Sequence, residues 1–258
     1  MKEERLRRQT EYTMYMASEY QKQGNLDGAI EYYSLAIQDF ISLNDNENLA
    51  VCYTNRSKAL IDVEKYDQAV KDSTEAIALH KRLNEKNLIA LDYVNRALSY
   101  MYLNNFKKAL EDINNSISIR TEINDRGGLA DSHRMQAFIN IRKGDFDKAN
   151  KDIIFAQRMY VSMGERESIA RCYELKGIIN FSKKDYENSV IEFNKAVEVL
   201  KDSKDKLAYA NVLKERGDSL VFVEKGKAVD DYNKARQIYD SLKHKKKAEE
   251  LVELIKRI

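Results

Sequence analysis

The sequence contains no proline and no tryptophan, and only two cysteines and nine glycines in 258 residues. Without proline there is no collagen-like, mucin-like or proline-rich linker segment, and nothing removes an amide donor from a helix interior. No run approaches the ~18 apolar residues that a membrane helix needs. The opening MKEERLRRQT is charged and lacks the apolar stretch of a signal peptide. A cytoplasmic protein with reduced thiols at Cys52 and Cys172 is therefore expected. Neither sign of charge dominates: 44 Lys and Arg stand against 42 Asp and Glu, a net charge of +2. Such a mixture reads as solvated helix faces, so no nucleic-acid partner and no membrane insertion are expected. Phosphate-loop, dinucleotide, zinc-protease, CxxC and nucleophile-elbow motifs are all missing, so the expectation is no enzyme, no metal and no cofactor.

What the sequence has is a period. Alanine recurs at 50, 90, 130, 170 and 210, forty residues apart each time. Small residues recur at Ala17, Ser57, Ala97, Ala137, Gly177 and Gly217, with the same spacing. A further series, Ala29, Ala69, Ala109, Ala149, Ser189 and Ala228, is spaced by 40 until its last step of 39. One residue is therefore missing between Gly217 and Ala228, in or near a loop.

Each forty-residue unit reads as two helices. Residues 50–83 predict a first helix over about 50–63, a turn at Glu64-Lys65 and a second helix from Tyr66-Asp67. Asp27, Asp67, Asp147 and Glu187 fall in the first turns of second helices, where the helix dipole favours negative charge by ~0.3–1 kcal/mol each. Gly24-Asn25, Asn104-Asn105 and Gly144-Asp145 interrupt the pattern with residues that tolerate a left-handed backbone. Such short breaks force neighbouring helices to pack antiparallel. Cys52 and Cys172 stand three whole units apart, roughly 25–30 Å at usual helix spacings, too far for a disulfide.

Residues 20–36, YQKQGNLDGAIEYYSLA, place Tyr20, Ala29, Tyr33 and Ala36 in a pattern that resembles the tetratricopeptide repeat. Residues 53–77 and 93–117 are similar, and the resemblance spans about residues 10–241. The period of 40 is longer than the family's usual 34, and its usual proline is missing. Where the family often has Leu in its first helix, this chain has Arg56, Arg96, Gln136, Lys176 and Arg216, so packing there must rest on alkyl stems. The resemblance implies an all-α fold: a right-handed superhelical solenoid of antiparallel helix pairs. Six units are expected at about 10–49, 50–89, 90–129, 130–169, 170–209 and 210–241. Residues 1–9 would extend the first helix, and residues 242–258 would form a capping helix with Leu251, Val252, Ile255 and Ile258 on its apolar side.

The resemblance also implies a function, the binding of another protein or a peptide along a concave face lined by first helices. The alternatives are a peptide-responsive receptor that controls a second protein, and a self-associating structural subunit. Mapped onto this register, the face comprises Asn55, Lys58, Asn95, Met101, Tyr102, Arg134, Met135, Phe138, Arg142, Arg171, Phe181 and Lys214, and Thr54 and Leu175 are also among its positions. Amides can hydrogen-bond any peptide backbone, and Met and aromatic side chains make adaptable apolar pockets. The Asn-Arg segments at 55 and 95 resemble the middle repeat of chaperone-tail clamps. A clamp is not expected, because Lys58 is the only cation at the matching positions and Asp131 would repel a carboxylate.

Overall fold

The computed structural model describes residues 2–258, all of them in helices and short joints. The chain divides into two compact units, one ending at Lys143 and one beginning at Gly144. The first holds α1 (Lys2–Lys22), α2 (Leu26–Ser42), α3 (Asn46–Asp62), α4 (Tyr66–Leu83), α5 (Lys86–Tyr102), α6 (Phe106–Glu122) and α7 (Arg126–Lys143). The second holds α8 (Phe146–Met163), α9 (Arg166–Ser182), α10 (Tyr186–Leu200), α11 (Lys206–Val223), α12 (Lys225–Ser241) and α13 (Lys245–Lys256). Within each unit every helix packs on the next, and odd-numbered helices also touch one another: α1 on α3, α3 on α5, α5 on α7, and α9 on α11.

The joints explain where the helices stop. Gly24, Asn44, Glu64, Asn84, Asn104, Asn124, Gly144, Gly164 and Lys184 all have positive φ, one every twenty residues. The following residue often caps the next helix. Asn25, Asp45, Asn105, Asp145, Asp185 and Asp205 each accept a hydrogen bond from a backbone N–H three residues on. Asp45 starts α3 at Asn46, four residues before the Ala50 expected from periodicity alone. The missing residue is at the joint between α11 and α12. Glu224 alone separates these helices, whereas three residues separate α9 from α10, and no left-handed residue remains there.

The small-residue period is a matter of volume. Within each unit, position 17 and its equivalents face a residue sixteen further on in the paired helix (fifteen in the last pair). Ser57 meets Ser73 in a 2.7 Å hydroxyl pair. Ala97 shares a cluster with Ile113. A Cβ on Gly177 would lie 2.7 Å from the Phe193 ring, and one on Gly217 would lie 2.5 Å from the Tyr232 ring. Opposite the rings of Phe193 and Tyr232 the first-helix residue is glycine, which keeps the interior close-packed there.

The cationic positions of the first helices hold a ladder of ion pairs. Arg56 donates to both oxygens of Asp72 at 2.7 and 2.8 Å, and Nη1 reaches Ser34 at 2.9 Å. Arg96 repeats this with Asp112 at 2.8 Å twice and with Thr74 at 3.1 Å. Arg216 does the same with Asp231 at 2.7 and 2.6 Å and with Asn194 at 2.8 Å. Each guanidinium thus ties its own helix pair together and also holds the second helix of the preceding pair, so these arginines serve as struts where the family often has leucine.

Candidate functional site

In the first unit the expected face lies on α3, α5 and α7. Asn55 and Asn95 occupy equivalent places on α3 and α5, and both are half-exposed. Neither amide has an intramolecular hydrogen bond among the described residues, although the adjacent Arg56 and Arg96 are fully engaged. Lys58 is exposed one turn further along α3. Burial pushes the Asp62 carboxyl up, and Lys58 opposes the shift. Met135 and Phe138 are half-buried on α7 against the cluster of Ala97, Ala109, Ile113 and Ile139. Arg134 is half-buried, 3.5 Å from Asp131. Tyr102 is 36% exposed and stacks on Tyr66 with ring centroids 4.6 Å apart. Arg142 is exposed and interacts electrostatically with Tyr66.

Two expectations fail here. Met101 is 0% exposed and lies in the core between α5 and α6, so it offers no surface to a partner. Thr54 is buried as well, and its hydroxyl donates to Asp92 at 2.7 Å. Both residues sit on the side of their helix that packs onto neighbours, a rotation that a forty-residue register leaves unresolved.

Asp92 is the centre of a buried polar triad. His80 Nδ1 lies 2.7 Å from its second oxygen, and His80 Nε2 is buried without a hydrogen-bond partner. Burial pushes the Asp92 carboxyl up, against the hydrogen bonds from His80 and Thr54. His80 is 1% exposed and Asp92 0%, which leaves a substrate no access to these groups. The triad joins α3, α4 and α5 and is structural.

In the second unit, Arg171 on α9 pairs with Asp205 at 3.1 Å, both partly exposed. Lys214 on α11 donates to Asp218 at 2.7 Å. Phe181 is half-buried in an aromatic cluster, 5.6 Å from Tyr186 and 6.3 Å from Phe222. Phe222 is 60% exposed and stacks on Tyr186 at 4.1 Å. This stack is the counterpart of Tyr66 on Tyr102, 120 residues earlier. Leu175 is buried and belongs to the packing of α9.

Sequence reasoning passed over the acidic residues of α9, α11 and α13. Glu174, Glu215 and Glu250 share the wall of a cavity of about 290 Å³. Positions 174 and 215 are one repeat plus one residue apart, so the forty-residue count separates what the fold brings together. Among the described residues no group of three or more potential metal ligands is assembled, and no helix is long and apolar enough to cross a membrane. Cys52 and Cys172 are both buried, and burial pushes the Cys52 thiol up to about 12.

Four segments of the chain match models of the tetratricopeptide repeat, residues 16–38, 49–87, 93–122 and 170–199. No curated protein matches the chain by sequence. Among solved structures, the apo form of RapI is similar with a TM-score of 0.70 at 14% identity, over 96% of this chain and 97% of that one. NprR in complex with its cognate peptide NprX is similar with a TM-score of 0.70 at 13% identity, over 95% of this chain and 72% of that one. Aspartyl phosphate phosphatase F from Bacillus subtilis reaches 0.70 at 14% identity, over 90% of this chain and 60% of that one. At these identities the likeness concerns the fold.

Proposed function

From the premise that this chain is a tetratricopeptide-repeat protein, we propose that it is a non-enzymatic adaptor that binds a peptide or an extended protein segment. Its place is the cytoplasm, where the thiols of Cys52 and Cys172 stay reduced. The binding face is the one formed by Asn55, Lys58, Asn95, Arg134, Met135 and Phe138 in the first unit.

One observation carries this reading: two half-exposed amides, Asn55 and Asn95, forty residues apart and without an internal hydrogen-bond partner. An amide offers a donor and an acceptor together, which matches the backbone of an extended peptide whatever its side chains. Met135 and Phe138 add apolar anchors beside them. Tyr102 and Arg142 form the edge of the face. Arg171, Phe181 and Lys214 make a separate set of candidate contacts within the second unit. NprR, solved with its cognate peptide, supports a peptide as the partner class. It also favours a second reading in which the bound peptide regulates the grip on another protein.

The test compares the wild-type chain with an Asn55→Ala, Asn95→Ala, Phe138→Ala variant. Both are used to capture partners from native lysate, with mass spectrometry as readout and circular dichroism to check folding. Loss of a partner in the folded variant supports the face. Retention of every partner by the folded variant moves the interface elsewhere and refutes the assignment.

A further inference from the structure

The cavity in the second unit lies among α9, α11, α12 and α13 and is lined by one more acidic than basic side chain. Three carboxylates, Glu174, Glu215 and Glu250, line it with two lysines, Lys214 and Lys247. Both lysines are committed to other partners. Lys214 donates to Asp218 at 2.7 Å, and Lys247 donates to Asn211 at 3.1 Å while resting 5.3 Å over the Tyr239 ring. Tyr239 turns its hydroxyl to Asn211 as well, at 2.8 Å. Among the described residues no ion pair reaches Glu215 or Glu250. Oxygen Oε2 of Glu215 is buried and has no hydrogen-bond donor. An acceptor of this kind is costly to leave unmade.

We propose that this cavity binds a primary alkylammonium group, as carried by a lysine side chain of a partner peptide. An ammonium has three N–H donors and no acceptor, which matches a wall of carboxylates with an unfilled acceptor at its centre. The Tyr239 ring and Leu251 supply apolar wall for a methylene stem. A volume of about 290 Å³ is ample for such a stem and head. The site goes beyond the amide-bearing face of α3 and α5 and stands or falls separately from it.

Protonation sharpens the test. Burial, and next the neighbouring Glu174 carboxylate, push Glu215 up to about 8, with Asp218 adding to the shift and Lys214 and Lys247 opposing it. An entering ammonium must therefore displace a proton from Glu215 below that pH. Glu250 and Tyr239 line the same space.

The experiment titrates the full chain, by NMR, with three probes: Ac-Gly-Lys-Gly-NH2, its norleucine counterpart, and pentane-1,5-diamine. Saturable binding is expected for the lysine peptide and the diamine and not for the norleucine peptide. Glu215→Gln is expected to weaken both by about tenfold at about pH 9. Wild-type affinity is expected to fall by up to about tenfold per pH unit below about 8. A lysine peptide that binds more tightly than the diamine assigns the site to a protein partner, and equal affinity assigns it to free polyamines. Glu250→Gln provides a second variant, and a melting curve of each shows that it folds. The Asn55, Asn95, Phe138 variant is expected to bind the probes as wild type does. Equal binding of the norleucine peptide, no saturable binding, or full affinity in a folded Glu215→Gln chain would each overturn the proposal.

Discussion

The strut formed by Arg96 and Asp112 lends itself to a double-mutant cycle. The arginine side chain is 18% exposed and the aspartate 5%, so the pair is mostly withdrawn from water. The hydrogen bonds that Arg96 donates to Asp112 hold its guanidinium more firmly charged than usual, against the effect of burial. Asp112→Ala leaves that cation with Thr74 at 3.1 Å as its remaining hydrogen-bond partner, beside the Tyr93 ring at 5.4 Å. Removing one member of a fully buried pair costs ~3–5 kcal/mol, and residual solvent at Arg96 brings the expected loss to about 2–3 kcal/mol. Arg96→Met strands the less exposed aspartate and also removes the 5.4 Å contact with the Tyr93 ring, so a loss of about 3–4 kcal/mol is expected. The combined Arg96→Met, Asp112→Leu variant replaces the pair by apolar groups and is expected within about 1 kcal/mol of wild type. Urea denaturation gives the three changes. Hydrogen exchange in α5 and α6 reports them locally, since repeat arrays need not unfold in one step. A cost below about 0.5 kcal/mol for Asp112→Ala, or a double variant as damaged as the sum of the singles, would refute the view that desolvation governs this ladder.

Three further outcomes follow from the packing. Glu64 holds a left-handed conformation at φ 62, where a Cβ is penalised; Glu64→Gly is expected to stabilise the chain by about 0.5–1 kcal/mol in thermal unfolding. Gly217→Ala places a methyl 2.5 Å from the Tyr232 ring and is expected to cost about 1–3 kcal/mol, with Tyr232→Leu in the same chain recovering part of it. The third concerns pH. Glu215 holds its proton up to about 8 in the folded chain but loses it near 4.3 when unfolded, so its contribution is full below that lower value and is lost as pH rises through about 8. Calorimetry is expected to show the second unit melting at lower temperature as pH rises through this window, and Glu215→Gln to flatten the trend.

The helix pairs and their period are written in the small residues and in the joints, because both depend on local rules of volume and backbone conformation. The pairing of Arg56, Arg96 and Arg216 was less visible. Taken singly, those arginines look like interruptions of an apolar stripe. Their partners Asp72, Asp112 and Asp231 follow sixteen, sixteen and fifteen residues later, and the last interval shortens with the lost joint residue. The period therefore contained the ladder, but only the fold shows which of many equally spaced charges meet. The candidate face suffered from the opposite problem. Met101 and Tyr102 are neighbours in sequence, yet one is sealed in the core and the other partly exposed. A rotation of one helical position, about 100°, separates these outcomes, and composition cannot fix it. The acidic cavity escaped notice because its carboxylates Glu174, Glu215 and Glu250 each fall at a different phase of the repeat.

The regular joints make the chain a set of interchangeable cassettes. Asn84 and Asn124 end their helices with the same left-handed turn, so excision of residues 86–125 would join like to like. Gln136 of the following pair would then meet Thr74 where it now meets Asn114, and a hydroxyl can accept that amide as well. Gene-level duplication or loss of forty-residue blocks is thus structurally inexpensive for a protein of this design. The single-residue joint at Glu224 is the exception. A forty-residue block cut across it would leave every later side chain one position out of phase, because equivalent positions there stand 39 apart, so it marks a boundary that copy-number change cannot cross freely.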